Sequence, residues 1–187
     1  KLKKTYKIGL YGALLYIMFE LILFFLDYSS HVYASIIAFG INSLTLLILV
    51  TYSIISEYKK GDNASFINDI KSGIQTTAIY SITVAMFVFT YYMWINPEYP
   101  KNKKKQWIEL TMDEDMMQQI AHQHITNNPE QFDGKSEGDL IDMQIPNIND
   151  TLQPSKAFPI TLLSLMLLGV FYSFFITAFN RLILSKI

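Results

Sequence analysis

The sequence predicts an all-α membrane protein, a four-helix transmembrane bundle with a partly helical extracytoplasmic insertion between helices three and four. Hydrophobic residues make up 51% of the 187 residues, and the mean hydropathy is positive. These residues form four long blocks, each near or above the ~20 residues with which a helix crosses hydrocarbon. The blocks lack the alternation of barrel strands and the polar face of a helix in a soluble bundle.

The four predicted spans cover residues 5–26, 33–55, 73–95 and 157–179. The first block could instead be a secretory signal peptide, but it is too long and too aromatic, and a poor cleavage site follows it. We therefore expect an uncleaved first helix. The spans divide the chain into residues 1–96 with helices one to three, an insertion at 97–156, and residues 157–187 with helix four and a cytoplasmic tail.

The distribution of lysine and arginine predicts the orientation of these spans. Nine cations lie in the two terminal segments and the connection between spans two and three, whereas six lie in the insertion. Because cations favour the cytoplasmic side, both termini are predicted to be cytoplasmic in an inner membrane. The lysines at positions 101, 103, 104 and 105 oppose this orientation, but they belong to a long loop, where the rule weakens.

The connections carry local start and stop signals. Gly61 could end the second helix, and Asp62, Asn63 or Ser65 could cap a short helix before span three. Prolines at positions 97 and 100 should end span three. Within the insertion, residues 104–127 favour a helix, and residues 140–145 could form a short strand. The insertion carries a net charge of −5 and has little core of its own, so it should pack against the membrane ends, a second copy or a partner.

Glu20 is the most informative polar residue because a carboxylate in hydrocarbon is costly. Counted from the ends of the spans, Asn42 and Ser164 reach a similar depth. Glu20 could be protonated and hydrogen-bonded to such a partner, which would fix the register of the helices. The alternative is a relay for protons or cations, although transport usually needs more than one ionisable group.

Small residues spaced by four mark the faces where helices can approach closely. They could pack within one bundle, or one of the two ridges could bind another protein. The predicted helix-packing residues are Gly73, Thr77, Ser81 and Ala85 in span three, and Gly169, Ser173 and Thr177 in span four.

The composition and the motifs argue against several kinds of chemistry. The chain has no cysteine, so thiolate chemistry and Fe–S clusters are excluded, and its net charge of −1 gives no case for nucleic acid. His122 and His124 would point to different sides of a helix, which argues against a metal site. No phosphate-binding loop or catalytic signature is present. We expect neither a cofactor nor an enzymatic activity.

Five short segments carry a resemblance to a known family. They are residues 57–61, 65–66, 71–73, 79–81 and 95–99. Together they resemble a family of small bacterial four-span membrane proteins that is classed only as a domain of unknown function. The resemblance implies the inner membrane of a Gram-negative cell and a long loop between spans three and four. It supplies no activity, substrate or site residue.

These observations favour a non-enzymatic accessory or scaffold subunit of a bacterial cell-envelope complex. Its expected partners are the lipid bilayer and other membrane proteins or a copy of itself. The alternative hypothesis is a small oligomeric transporter or channel that uses Glu20. The accessory-subunit hypothesis rests on the single intramembrane carboxylate and the charged insertion. The transporter hypothesis rests on the cost of burying that carboxylate.

Overall fold

A computed structural model of the chain describes residues 3–28, 33–59, 65–111, 122–123, 125–127, 130, 136, 138–139 and 153–184. Within these residues all the long elements are helices, and none is a strand. The all-α prediction is therefore confirmed. The elements are α1 (Lys4–Phe25), α2 (Ala34–Tyr58), α3 (Phe66–Thr90), a π-helix (Tyr91–Ile95), α4 (Glu98–Thr111) and α5 (Pro154–Leu184).

Four stretches of helix in the described part of the chain are long and apolar enough to cross a membrane, as predicted. They are Lys4–Phe25, Ala34–Tyr58, Phe66–Ile95 and Pro154–Leu182. The third differs most from its prediction, because residues 66–72 continue the same helix instead of forming a separate short one.

The start of α3 has a side-chain cap. The Ser65 hydroxyl accepts a hydrogen bond of 3.1 Å from the backbone N–H of Asn68. Such a bond satisfies one of the N–H groups that the first turn of a helix leaves without a partner. Ser65 was one of three capping candidates in the sequence. The other two, together with Gly61, lie outside the described residues.

The chain divides into two compact units. The four-helix unit comprises Lys1–Thr90 and Phe158–Ile187, and the second unit comprises Tyr91–Ala157. Helix α3 contributes the most buried residues to the four-helix unit, and it contacts each of the other three helices. The hydrophobic core consists of Ala13 and Tyr16 of α1, Leu46, Val50 and Ile54 of α2, Tyr80 and Val84 of α3, and Leu165 of α5.

The predicted small residues of α3 lie against those of α5. A Cβ atom added to Gly73 would collide with the Ser173 side chain, and one added to Gly169 would collide with Thr77. Because the two helices run in opposite directions, the two ridges interdigitate. All seven predicted residues are buried, including Ser81, Ala85 and Thr177. The structure thus places both ridges inside the four-helix unit.

The outward surface of the four-helix unit is made of large apolar side chains. Leu15 of α1, Phe39 of α2 and Phe175 of α5 are each more than half exposed. In water such a continuous apolar surface would be costly, whereas hydrocarbon is its natural solvent. The protein is a multi-pass membrane protein.

The second unit begins with the π-helix and α4, which pack through aromatic rings. The ring centroid of Tyr99 lies 5.8 Å from that of Tyr91 and 5.4 Å from that of Tyr92. Lys103 is buried, and its ammonium lies 5.8 Å from the centroid of the Tyr99 ring. Burial lowers the pKa of Lys103 because it disfavours the charged form.

Helix α4 begins six residues before the predicted start of the helix in the insertion. Pro100 lies in its first turn, where the missing N–H removes no hydrogen bond. Proline is therefore compatible with the start of a helix here, and its presence after span three does not require a loop. Residues 122–123 and 125–127 are also helical. The rest of the predicted helix and the predicted strand at 140–145 lie outside the described residues.

Candidate functional site in the polar interior of the four-helix unit

Glu20 is bonded to its own helix. It lies one turn after Tyr16 on α1, and the Tyr16 hydroxyl donates a hydrogen bond of 2.5 Å to Glu20 Oε1. Residues four apart share one face of a helix, so this bond forms within α1. The Glu20 side chain is only partly buried. This bond therefore does not tie α1 to a neighbouring helix.

The two suggested partners of Glu20 have other surroundings. Asn42 is buried, and its Oδ1 accepts a hydrogen bond of 2.6 Å from the Tyr80 hydroxyl, which joins α2 to α3. Ser164 is exposed on α5. The structure thus gives Glu20 a different hydrogen-bond partner from those that the sequence suggested. Equal depth places residues in one layer, but it does not make their side chains face one another.

An ion pair that the sequence analysis missed joins α3 to α5. The Asp69 carboxylate is fully buried, and its Oδ2 accepts hydrogen bonds from Arg181 Nε at 3.0 Å and Nη2 at 2.7 Å. The guanidinium lies 5.9 Å from the centroid of the Tyr58 ring of α2. Three helices therefore meet at this pair. The spacing of the sequence could have indicated this pair. Asp69 lies four residues before Gly73 and Arg181 lies four residues after Thr177, so each residue continues the ridge of small residues on its helix.

A second missed feature is a cluster of buried hydroxyls between α2 and α3. The Oγ atoms of Ser53 and Ser72 lie 2.7 Å apart, and each hydroxyl also lies within 3.2 Å of the other residue's backbone carbonyl. The Thr76 hydroxyl donates to Ser53 Oγ at 2.8 Å, and it lies 3.3 Å from the carbonyl oxygen of Thr5 in α1. The cluster therefore links three helices through polar contacts. This cluster could not be predicted, because the sequence alone does not show which serines and threonines of two apolar stretches bond to one another.

Helices α3 and α5 contain buried polar atoms that make no hydrogen bond with the described part of the chain. They include Asp69 Oδ1, Thr77 Oγ1, Ser81 Oγ, Thr177 Oγ1 and Asn180 Nδ2. An unsatisfied buried polar atom costs about 1–3 kcal/mol. Close packing of small side chains in this interface therefore comes at the expense of hydrogen bonding.

The described residues do not gather into a metal site. No group of three His, Asp or Glu side chains among them could hold an ion. His122 is exposed, and the side chain of His124 lies outside the described part. The chemistry that these residues do bring together is acid–base and ionic: a carboxyl against a phenol at Glu20, and a carboxylate against a guanidinium at Asp69.

The apolar helices and the polar interior define a class, the multi-pass α-helical membrane proteins. Within that class the chain belongs to the family described as "Protein of unknown function (DUF4199)", whose profile matches residues 7–187. The resemblance noted in the sequence is confirmed. Neither a curated protein nor a solved structure matches the chain.

Proposed function

We propose that the protein is a non-enzymatic accessory or scaffold subunit of a cell-envelope complex. The main observation in support of this proposal is that buried polar groups join the helices to one another. Asn42, Ser53 and Asp69 each bond to a side chain on another helix. Such bonds stabilise one arrangement of the helices. A rigid bundle of this kind suits a subunit that presents a surface to a partner.

The proposed location is a bacterial inner membrane, with both termini in the cytoplasm. The distribution of lysine and arginine along the chain supports it. The chain has no cysteine, so single cysteines can be introduced at will. In spheroplasts, Lys101→Cys should react with a membrane-impermeant maleimide, and Lys59→Cys should react only after lysis. The reverse pattern would overturn the orientation.

The proposed partner surface is the exposed side of α4. Lys101 pairs with Glu98 at 2.7 Å and Lys105 with Glu109 at 3.9 Å, and all four side chains are largely exposed. Trp107 is also exposed, but it lies two residues after Lys105 and therefore on the opposite side of the helix. The paired charges define the proposed partner surface, and Trp107 adds an exposed aromatic residue of the type that is enriched in protein interfaces. The same charges suit a proteinaceous partner better than bare lipid.

Photo-crosslinking in intact cells tests this proposal. A photoreactive amino acid at position 101 or 105 of α4 should give discrete crosslinked proteins, identified by mass spectrometry after purification in mild detergent. The matched control is position 15 or 175, where the apolar side chain faces lipid and should give no protein adduct. A monomer without adducts from α4, in several detergents, would count against an accessory subunit.

A second candidate is a small oligomeric transporter or channel that uses Glu20. The observation that favours it is that Glu20 bonds to Tyr16 on its own helix and is only partly buried. The bond to Tyr16 stays within α1, so hydrogen bonding between helices does not account for a carboxyl that is costly in hydrocarbon. Association of several copies could then place Glu20 along a shared path.

Reconstituted vesicles test the second candidate. Proton and cation flux through the wild-type protein should exceed that of empty vesicles, and Glu20→Gln should abolish it. Asp27→Asn is the matched control, since Asp27 is an exposed carboxylate just after α1. Flux that Glu20→Gln leaves unchanged would remove the transport hypothesis and leave the accessory subunit.

A further inference from the structure

All the cations that the structure describes in the four-helix unit lie at one end of it. That end is where α1 and α3 begin and where α2 and α5 finish. We propose that this basic end binds the headgroups of anionic phospholipids. The basic end consists of Lys3, Lys4, Lys7, Lys59, Lys71 and Arg181.

Charge complementarity is the first argument. The described acids at this end are Glu57 and Asp69, so the described residues there carry a net charge of +4. Asp69 is already neutralised, because its Oδ2 binds Arg181. Lys3 and Lys7 are exposed and form no ion pair with another described residue. Phosphate groups of anionic lipids would compensate this excess, since each lysine near a charged membrane surface attracts such lipids.

Two of the cations are held in place by aromatic rings. Lys4 Nζ donates a hydrogen bond of 2.7 Å to Ser56 Oγ and lies 5.7 Å from the centroid of the Tyr52 ring. Arg181 lies over the Tyr58 ring, and 31% of its side chain is exposed. The bonds of Arg181 to Asp69 use Nε and Nη2, so Nη1 is the nitrogen that we expect to contact a phosphate oxygen. Fixed cations lose less entropy on binding a headgroup than mobile ones.

The apolar surroundings of the basic end indicate a lipid and not a soluble anion. Phe66 and Ile67 lie in the first turn of α3, and their side chains are 42% and 73% exposed. Apolar side chains next to lysines are typical of the membrane interface, where they contact acyl chains while the lysines reach the headgroups. A soluble phosphate would use the lysines but would leave Phe66 and Ile67 in water.

The start of α1 gives supporting geometry. Lys3 makes no side-chain capping bond, and the first turn of α1 contains no acidic residue. The N-terminus of a helix carries a partial positive charge, so lysines there are unfavourable unless an anion is near. A lipid phosphate at this position would accept hydrogen bonds from the backbone N–H groups and offset the charge of Lys3 and Lys7.

The test is native mass spectrometry of the full chain in mild detergent, titrated with phosphatidylglycerol or phosphatidylcholine of identical acyl chains. The wild type should bind phosphatidylglycerol at least about thirtyfold more tightly than phosphatidylcholine, because several lysines contribute about fivefold each. The double variant Lys3→Gln, Lys7→Gln should weaken phosphatidylglycerol binding by about fivefold for each lysine removed. Both side chains are exposed, so the fold should survive, which circular dichroism checks.

The control variant is Lys101→Gln, Lys105→Gln, which removes two lysines that are already paired with glutamates of α4. It should leave the preference for phosphatidylglycerol intact. Equal binding of the two lipids by the wild type would overturn the proposal. The proposal would also be overturned if the control variant lost the preference for phosphatidylglycerol and the Lys3 and Lys7 variant kept it. Displacement of the lipid by inorganic phosphate would show a site for a soluble anion and would overturn it too.

Discussion

On the face of α3 that meets α2, hydroxyls bond across the helix boundary, whereas on the face that meets α5 small side chains touch without bonding. The hydroxyl oxygens of Ser72 and Thr76 lie 2.7 and 2.8 Å from Ser53 Oγ of α2. Thr77 lies against Gly169 of α5, and its hydroxyl makes no hydrogen bond with any residue that the structure describes. The two faces are formed by neighbouring residues of one helix, since Thr76 and Thr77 are adjacent in the sequence. They show that one helix can be held by polar bonds on one side and by shape on the other.

The difference follows from how closely the helices approach. Between α3 and α5, glycines bring the two backbones together. Close packing then stabilises the contact through dispersion, because hydrophobic burial provides no driving force between helices in lipid. The polar exception on this side is the Asp69–Arg181 pair at the end of the interface. We therefore expect substitutions on the α5 side to act through charge and volume, and substitutions on the α2 side to act through hydrogen bonds.

Arg181→Gln should have the largest effect. It leaves the fully buried Asp69 carboxylate without its cation, and breaking a buried ion pair in this way costs about 3 kcal/mol or more. The measurement is reversible unfolding in mixed micelles, followed by circular dichroism. Adding Asp69→Asn to this variant should recover part of the loss, because no uncompensated charge is then buried. If the single variant is as stable as the wild type, the pair does not hold α3 to α5.

Gly169→Val should have the next largest effect, a loss of about 2 kcal/mol, because the new side chain would overpack the interface. The added Cβ atom alone would collide with Thr77. Gly40→Val is a matched control, since Gly40 is also helical but nothing lies within 4 Å of its Cβ position. Melting temperatures in detergent compare the two variants. Equal melting temperatures would mean that α3 and α5 do not approach as closely as shown.

The positions of the spans and the two ridges could be predicted because they depend on hydropathy and on spacing by four residues. The partner of Glu20 could not, because depth in the membrane does not fix the direction in which a side chain points. Ser164 shows this most clearly, since it is exposed. Asp69 and Arg181 were missed because both lay beyond the predicted limits of spans three and four. Their pairing depends on α3 and α5 being longer than their apolar cores.

Thr76→Val should have a smaller effect than the two changes above. It removes a buried hydrogen bond of 2.8 Å to Ser53 Oγ, and such bonds between membrane helices contribute about 0.6–1 kcal/mol. Valine has nearly the same shape as threonine, so packing should be kept. The measurement is the free energy of unfolding in mixed micelles. The loss should become smaller when Ser53→Ala is already present, because Thr76 and Ser53 share the bond, and the remainder reports the contact of Thr76 with the Thr5 carbonyl.

Thr77→Val should change the stability least, with a free energy of unfolding equal to that of the wild type or higher by up to about 1 kcal/mol. The Thr77 hydroxyl is fully buried and has no hydrogen-bond partner among the described residues, so its removal should relieve a desolvation cost without breaking a bond. Thr76→Val is the natural comparison, because it makes the same chemical change one residue away. If both variants lose the same free energy, the Thr77 hydroxyl has a partner in the membrane, and the two faces of α3 are held in the same way. If only Thr76→Val loses stability, the contrast between bonding and packing is a property of the two faces and not of threonine.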